Sequence, residues 1–448
     1  MRYPPSLLDD IRARLPVSAV VGRRVKLTRA GREWKGLSPF NQEKTPSFFV
    51  NDQKGSFFDF SSGKNGDIFK FVMETEGLSF PEAVERLAAE AGVELPKVSV
   101  EAERFEQQRK GLGEAMELAA QWFQQQLKER AGAGAREYLK GRDLPPAVQA
   151  EFRLGYAPNE RFGLRDFLAG KGVPVEVMVE AGLLISVEEV AVPYDRFRDR
   201  VMFPISDARG KVIAFGGRAL QKDAQAKYLN SPETPLFHKG ATLYNLNKAR
   251  KPAHEKGNLI AVEGYVDAIA MTRAGFPETV APLGTALTED QLALMWRIAG
   301  EPVLCFDGDK AGVKAAHRAI DVALPHLQPG RTLRFAFLPG GQDPDELLRS
   351  SGPDAIAAVV NRPRSFVDVL FAREAEREPL DTPERRADLE KRLREAVSAI
   401  KDETVRKHYR EAMDERIRAL FRQSGPQRGG SRGGPDRSEE HTSELQSL

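Results

Sequence analysis

The chain has 448 residues, of which 41% are hydrophobic and 29% are charged, and its formal net charge is +2. This length allows two to four domains with cores of their own, and the composition is typical of a soluble globular protein. No apolar run of about 18 residues and no N-terminal apolar segment occur, which excludes a membrane span and a secretory signal. The single cysteine, Cys305, excludes a disulfide framework, so we expect a cytoplasmic protein.

Residues 1–96 are predicted to form a small α+β module. Two aromatic runs, residues 47–50 and 55–60, have the composition of strands joined by a polar turn. A helix follows, with Val84 and Leu87 on its apolar face, and Gly92 is predicted to end it.

Residues 97–112 are highly charged, and we predict a helix-like linker there. Residues 113–255 mix helix and strand signals and are predicted to form a basic subdomain. From Arg196 to Lys251 there are 12 Lys and Arg against 4 Asp and Glu, whereas residues 258–350 have 8 against 12. A basic segment next to an acidic one is typical of a protein that holds a polyanion in a groove beside a metal-binding cluster. A solvated basic surface would give the same numbers of charged residues.

Residues 256–345 alternate predicted strands with predicted helices. The strands are expected at 258–263, 278–283, 302–307 and 331–338. Short apolar runs that alternate with helices are typical of buried parallel strands joined by crossovers. We therefore predict a parallel α/β sheet.

Acidic residues follow three of these predicted strands. Glu263 ends one run, Asp307 and Asp309 end another, and Asp343 and Asp345 follow a third. In an open parallel sheet, ligands bind beyond the carboxyl ends of the strands. Clustered carboxylates repel one another unless cations lie between them, and oxygen ligands favour Mg²⁺. The pattern predicts phosphoryl-transfer chemistry.

Residues 346–421 are predicted to form a helical bundle, because apolar residues recur there at spacings of three and four. Residues 422–448 are rich in Gly, Arg and Pro and then read like a translated sequencing adapter from Arg437 to Ser447. We predict a disordered linker with a non-native tail, and a natural chain that continued beyond about Asp436.

The order of the acidic motifs resembles the Toprim domain of topoisomerases and primases, and Gly284 matches the glycine turn of that domain. The basic motifs at residues 200–205, 215–218, 227–234 and 237–240 resemble those of bacterial replicative DNA primases. Residues 32–92 also resemble the N-terminal module of that family. The expected fold is therefore α+β multidomain: a zinc-ribbon-like module, a mixed α/β basic subdomain, a Toprim parallel sheet and a helical bundle.

This resemblance implies roles for individual residues. Glu263, Asp307 and Asp309 would hold two Mg²⁺ or Mn²⁺ ions, and Asp343 and Asp345 would support them or complete a further metal position. Asp267 comes four residues after Glu263 and, if a helix follows, lies on the same helix face, so its spacing places it behind the site. Asp343 and Asp345 are also ordinary helix-capping candidates. Six residues match the nucleic-acid and nucleotide-binding groove of the family: Arg142, Arg218, Lys227, Tyr228, Asn230 and Lys239.

The N-terminal module departs from the family pattern. The family holds zinc through cysteine and histidine, and the matching positions of this chain are Ser38, Asn41, Asp59 and Ser62. Serine and asparagine are poor zinc ligands, so zinc is predicted to be absent. Packed aromatic side chains would then stabilise the module.

The resemblance implies a DNA primase, an RNA polymerase that makes short primers on single-stranded DNA from ribonucleoside triphosphates. Another Toprim enzyme, such as a nuclease or a topoisomerase-like protein, is one alternative, and a non-catalytic single-stranded DNA-binding protein is the other. The helicase-binding domain of the family is expected to be missing, so binding of the replicative helicase is predicted to be weak or absent. We expect a monomer at the replication fork with no membrane contact.

Overall fold

The computed structural model describes residues 3–76, 78, 80–95, 100–187, 191–221, 223–284 and 286–423, with the backbone alone for residues 100–106 and 423. It divides into two compact units, Met1–Glu106 and Gln107–Leu448. Across the described ranges, none of the helices combines the length and the apolar character of a membrane span.

The first unit is built on a five-stranded antiparallel meander whose strand order follows the chain. Its strands are β1 (Thr28–Ala30), β2 (Glu33–Gly36), β3 (Phe48–Asn51), β4 (Ser56–Asp59) and β5 (Asn65–Gly66). Its helices are α1 (Pro5–Arg14), α2 (Val17–Val21), α3 (Ile68–Glu76) and α4 (Phe80–Ala91). Alternate strand residues face the core, since Phe48 and Phe57 are buried whereas Phe58 is 40% exposed. Phe60 is more exposed still, so only part of the expected aromatic packing lies in the core.

A long helix, α5 (Val100–Lys128), runs through the predicted linker and beyond its predicted end. The helices and short strands that follow it in the basic subdomain are α6 (Ala133–Gly141), α7 (Pro146–Glu151), β6 (Gly155–Ala157), α8 (Gly163–Gly170), α9 (Val175–Glu180), β7 (Leu184–Ile185) and β8 (Tyr194–Asp195). Next come β9 (Arg200–Ser206), β10 (Val212–Ala219), β11 (Tyr228–Asn230) and α10 (Leu246–Lys256). An antiparallel sheet of order β11-β10-β9-β6 forms its centre.

A second sheet of five strands has the order β13-β12-β14-β15-β16. Its elements are β12 (Ile260–Ala261), α11 (Tyr265–Arg273), β13 (Thr279–Val280), α12 (Glu289–Trp296), β14 (Val303–Phe306), α13 (Lys310–Ala323), β15 (Arg334–Phe337), α14 (Pro344–Ser351), α15 (Pro353–Val360) and β16 (Arg364–Ser365). The first four strands are parallel and β16 is antiparallel to β15. The predicted strands and helices of residues 256–345 are all present, and the sheet gains an antiparallel edge strand that the sequence did not predict.

Three helices complete the chain: α16 (Phe366–Ala375), α17 (Pro383–Ser398) and α18 (Glu403–Gln423). Buried Leu389 and Leu393 on α17 join the same hydrophobic cluster as Phe335 of β15, so these helices pack on the parallel sheet. On its other side the parallel sheet shares a core with the antiparallel sheet, through Phe203 and Tyr265. The predicted disordered linker and tail fall almost entirely outside the described residues.

Candidate active site

The strand order fixes where a crevice opens in the parallel sheet. From β12 the chain crosses to β13 on one side, and the later strands β14 and β15 lie on the other side. The gap between β12 and β14 is therefore the switch point, where ligands bind in open α/β sheets. Glu263 comes two residues after β12, and Asp307 directly follows β14. The structure thus brings these two predicted residues to the same crevice.

The carboxylates at this crevice raise one another's pKa. Burial raises the pKa of Asp307 to about 7, with further contributions from the charges of Glu263 and Asp343. The pKa of Glu263 is also raised, first by burial and then by Asp309, while Arg318 acts to lower it. Burial and the neighbouring negative charges both disfavour the ionised carboxylates here. A cation would relieve this repulsion.

Asp309 and Asp343 cap helices with their side chains. Asp309 accepts a hydrogen bond of 2.7 Å from the backbone N–H of Gly312 at the start of α13. Asp343 accepts one of the same length from Glu346 at the start of α14. The helix-cap alternative for Asp343 is therefore present in the structure. A carboxylate has four lone-pair sites, so one capping bond leaves capacity for a further ligand.

Glycine is required in the turn that carries Asp307 and Asp309. A Cβ on Gly308 would lie 1.8 Å from the carbonyl oxygen of Leu338, and a Cβ on Gly312 would lie 2.1 Å from that of Asp307. The turn after β14 therefore packs directly on the backbone that follows β15. Because no side chain separates the two turns, Asp309 and Asp343 lie at one edge of the sheet.

Asp345 differs from the other acidic residues because arginines already neutralise it. Its side chain is fully buried, and its Oδ2 accepts hydrogen bonds of 2.6 Å from Arg142 and 3.2 Å from Arg349. Its Oδ1 has no hydrogen-bond partner among the described residues. Arg142, predicted to bind phosphate, is instead held by this ion pair. The bond joins the end of α6 to α14 across 203 residues of sequence.

Asp267, on the first turn of α11, is close enough to the carboxylates for their charges to act on it. Its pKa is raised well above the usual value, first by burial and then by Asp343 and Asp307. A Cβ on Gly264 would meet the Asp267 carboxylate at 2.7 Å, so this carboxylate folds back over the first turn of α11.

The predicted basic and aromatic groove residues fall into two groups. Lys227 and Tyr228 are exposed, with the Lys227 ammonium 6.0 Å from the Tyr228 ring. Asn230 is used by the protein itself, because its amide donates to Leu283 O at 2.8 Å and its oxygen accepts from Tyr265 at 2.6 Å.

Arg218 and Lys239 are partly buried at the edges of this surface. Arg218 donates a hydrogen bond of 2.8 Å to the carbonyl oxygen of Ala219. The backbone N–H of Lys239 donates to Glu233, and its carbonyl oxygen accepts from Gln291. Both side chains keep their charge available to a ligand.

An all-oxygen donor set with a raised pKa fits Mg²⁺. Among the described residues, no three His, Cys, Asp or Glu side chains already converge as a closed set of ligands. The carboxylates are neighbours that a bound cation would draw together. A cavity of about 320 Å³ opens beside them, with Glu263, Arg318 and Phe306 in its wall.

In the N-terminal unit, a hydrogen-bonded cluster surrounds Asp59, which is fully buried. Its carboxylate accepts from Ser38 at 2.6 Å, from Ser61 at 2.9 Å and from Ser62. Burial acts to raise the pKa of Asp59, but these hydrogen bonds lower it below the usual value. Asn41 donates to the Ser61 carbonyl at 3.0 Å. The four positions singled out in the sequence are thus adjacent in the structure.

The parallel sheet, its switch point and its clustered carboxylates define a Toprim domain, and the Toprim domain model matches residues 257–334. Three other family models match the chain. They are the CHC2 zinc finger at residues 3–103, the N-terminal domain of the DNA primase catalytic core at 122–250, and the DnaB-helicase binding domain of primase at 367–419. The chain belongs to the bacterial DNA primase family, as its similarity to individual members also shows.

A DNA primase of Pseudomonas putida is 44% identical over 362 residues, which are 80% of this chain and 55% of that protein. The chain therefore spans about half the length of this relative. A solved DnaG primase catalytic domain bound to single-stranded DNA is 39% identical with a TM-score of 0.64, over 70% of this chain and 97% of the other. The zinc-binding and RNA polymerase domains of the Aquifex aeolicus primase are 31% identical with a TM-score of 0.59, over 93% and 97%.

Two expectations about zinc are overturned by these comparisons. The N-terminal module matches a zinc finger family, and the Aquifex aeolicus structure that covers most of the chain is described as zinc-binding. The prediction that this module is a variant without zinc is therefore wrong. Its error was to treat four positions as decisive for the module. In this structure Ser38, Asn41, Asp59 and Ser62 carry oxygen and amide groups that hydrogen-bond within their own cluster.

The prediction that the helicase-binding domain is missing is also wrong. The helicase-binding model matches residues 367–419, which form α16, α17 and α18. These helices were predicted as a plain bundle, because an apolar periodicity shows which faces pack but not which partner the outer faces bind. The related prediction of weak or absent helicase binding has no support left.

Sequence reasoning missed three residues at the site. Tyr138 packs against Arg218, Tyr265 holds Asn230, and Arg318 lies in the wall of the cavity beside Glu263. Only Tyr265 had a local signal, since it lies two residues after Glu263. Tyr138 is 80 residues from its arginine, and nothing in its own helix predicts that contact.

Proposed function

We propose that this chain makes short RNA primers on single-stranded DNA by joining ribonucleoside triphosphates. The observation that carries the proposal is the position of Asp307 at the switch point, where burial and neighbouring carboxylates raise its pKa to about 7. Membership of the primase family supports the same activity. The family comparisons give no support to the nuclease, topoisomerase-like and non-catalytic alternatives.

The chain's own residues would divide the work as follows. Glu263 and Asp307 would hold one magnesium ion, and Asp307 with Asp309 a second. When bound, the ions supply a lowered pKa for the attacking hydroxyl and positive charge for the leaving pyrophosphate. Asp343, which caps α14, would support these ligands. Asp345 would act through Arg142 and Arg349, which pair with it.

The nucleic acid and the nucleotide would lie over the carboxylate edge. Lys227, Arg218 and Lys239 carry positive charge there and would bind phosphates. The exposed ring of Tyr228, 41% accessible, would stack on a base. Asn230 would act through structure, because it ties β11 to the Leu283 carbonyl after β13.

The helices α16 to α18 would dock on the replicative helicase, since this segment matches the helicase-binding family model. Such docking would place the enzyme at the replication fork in the cytoplasm. Capture of the purified replicative helicase by the full chain at micromolar concentration tests this part. Failure to capture it at low salt would contradict the assignment.

Template-dependent incorporation of labelled ribonucleotides, with Mg²⁺ or Mn²⁺ as the added ion, tests the activity. We expect incorporation by the wild type and a loss of more than about a hundredfold in Asp307→Asn, because the charge that the ions require is removed. Asp321→Asn is the matched control, since this exposed carboxylate on α13 pairs with Arg373. Retained activity in Asp307→Asn would refute the site.

A further inference from the structure

Tyr138 and Arg218 form a stacked pair whose polar atoms lack partners. The Arg218 guanidinium carbon lies 4.0 Å from the centre of the Tyr138 ring. The Tyr138 hydroxyl and the Arg218 Nε are both buried, and neither has a hydrogen-bond partner among the described residues. Buried polar groups without partners are rare, so each such group needs an explanation.

The groups around the Tyr138 hydroxyl show which kind of partner it lacks. Arg142 lies beside it, with its guanidinium 5.9 Å from the ring centre, but gives its 2.6 Å hydrogen bond to Asp345. Burial raises the pKa of Tyr138, and the charges of Arg218 and Arg142 act to lower it, as does the approach of an Arg142 N–H to the phenolic oxygen. Arginine side chains only donate hydrogen bonds, so they offer no acceptor for the phenolic proton. The missing partner is therefore an acceptor.

The pair lies beside the carboxylate edge of the sheet, because Arg142 contacts the Tyr138 ring and also bonds to Asp345 of α14. The Tyr138 hydroxyl and the Arg218 Nε are buried, so a nucleic acid or nucleotide bound at the carboxylates would reach them after a local shift of the side chains that cover them. Phosphate oxygens are the acceptors that such a ligand brings in greatest number.

We propose that Tyr138 is a further phosphate-binding residue of this site, whose hydroxyl donates to a phosphate oxygen while its ring orients Arg218 toward the same anion. The inference rests on the proposed function and deepens it. The phosphate belongs either to the triphosphate of the nucleotide or to the template backbone. Stacking restricts the guanidinium to one plane, so that Arg218 reaches the anion with less loss of side-chain entropy.

The test compares Tyr138→Phe with wild type in two binding measurements. One measures KM for a ribonucleoside triphosphate at saturating template, and the other measures Kd for single-stranded DNA by fluorescence anisotropy without nucleotide. We expect one of these constants to increase about tenfold, as the loss of a hydrogen bond to a charged group requires, with kcat nearly unchanged. An increase in KM assigns the triphosphate, and an increase in Kd assigns the template backbone.

Tyr194→Phe is the matched control, because Tyr194 also lies under arginines, with Arg161 at 5.0 Å and Arg198 at 5.1 Å, but belongs to the small β7–β8 sheet. Tyr138→Leu removes the ring as well, and we expect a further loss of affinity of a few fold because Arg218 is no longer oriented.

Unchanged KM and Kd in Tyr138→Phe would overturn the proposal. The proposal would also be overturned if Tyr138→Phe and Tyr194→Phe both had a lower melting temperature and lost the same amount of affinity, because that result indicates a packing role alone. An inactive wild type refutes the proposed activity instead, and the DNA-binding measurement still tests Tyr138 in that case.

Discussion

Removing the positive charge of Arg142 would leave Asp345 buried without its shortest hydrogen bond. Arg142→Met keeps a flexible chain of similar length and removes the guanidinium. The Asp345 carboxylate, fully buried, would retain only Arg349 at 3.2 Å, and its Oδ1 already lacks a partner. Taking one partner from a buried ion pair costs about 3–5 kcal/mol. Because Arg349 remains and Arg142 is partly exposed, we expect the lower end, about 3 kcal/mol.

Urea unfolding followed by circular dichroism measures this loss in free energy of unfolding. For a unit of this size, 3 kcal/mol corresponds to a fall in melting temperature of roughly 4 °C. The double variant Arg142→Met/Asp345→Leu should recover about 2 kcal/mol, because it removes the stranded charge together with its partner. Arg153→Met is the control, since the Arg153–Glu117 pair has a similar 2.7 Å contact but its carboxylate is 42% exposed, and the change should alter stability by less than about 1 kcal/mol. Equal effects of Arg142→Met and Arg153→Met would refute the reasoning.

Three other outcomes follow from single contacts. Gly308→Ala should abolish primer synthesis and lower the melting temperature, because its Cβ would lie 1.8 Å from the Leu338 carbonyl oxygen. Gly340→Ala in the next turn is the control: its Cβ would have open space around it, so its effect on the melting temperature measures only the cost of a positive φ. Burial raises the pKa of Asp195 to about 6, above the value near 3.9 of an unfolded chain. Protonation of Asp195 therefore stabilises the folded state at low pH, and this contribution to stability is lost as the pH rises from about 4 to 6. The free energy of unfolding of wild type relative to Asp195→Asn should therefore fall across that range, and a flat difference would contradict the assignment. Tyr265→Phe should lower primer synthesis several fold, because it releases Asn230, to which the tyrosine hydroxyl donates at 2.6 Å. An increase in KM at unchanged melting temperature would support this reason, and a lower melting temperature would indicate a simple loss of packing.

The sequence alone located the acidic edge of the parallel sheet because the signal there is local. Apolar runs that end at Glu263 and Asp307 mark strand ends, and parallel strands bring their carboxyl ends to one edge. The predicted α+β multidomain fold is confirmed by the family matches and by the structure. Gly308 separates Asp307 from Asp309 in the sequence, and the structure adds the backbone contacts that require glycine at positions 308 and 312.

Pairings between distant residues could not be predicted from periodicity or motifs. Arg142 and Asp345 are 203 residues apart, and each had been assigned to a ligand because neither could be seen to neutralise the other. Asn230 was likewise assigned to nucleic acid before its bonds to Leu283 and Tyr265 were known. Polar side chains at a site are assigned to substrate by default, and only coordinates show which of them the protein uses itself.

The edge strand β16 connects the helices α16 to α18 directly to β15 of the parallel sheet. Ser365 pairs with Arg334 of β15 and also caps α16 through the Asp368 backbone N–H. Tension on α16 is therefore carried by backbone hydrogen bonds into the strand that precedes the Asp343 turn. A load on these helices would reach the parallel sheet at its edge, through the two residue pairs that join β16 to β15.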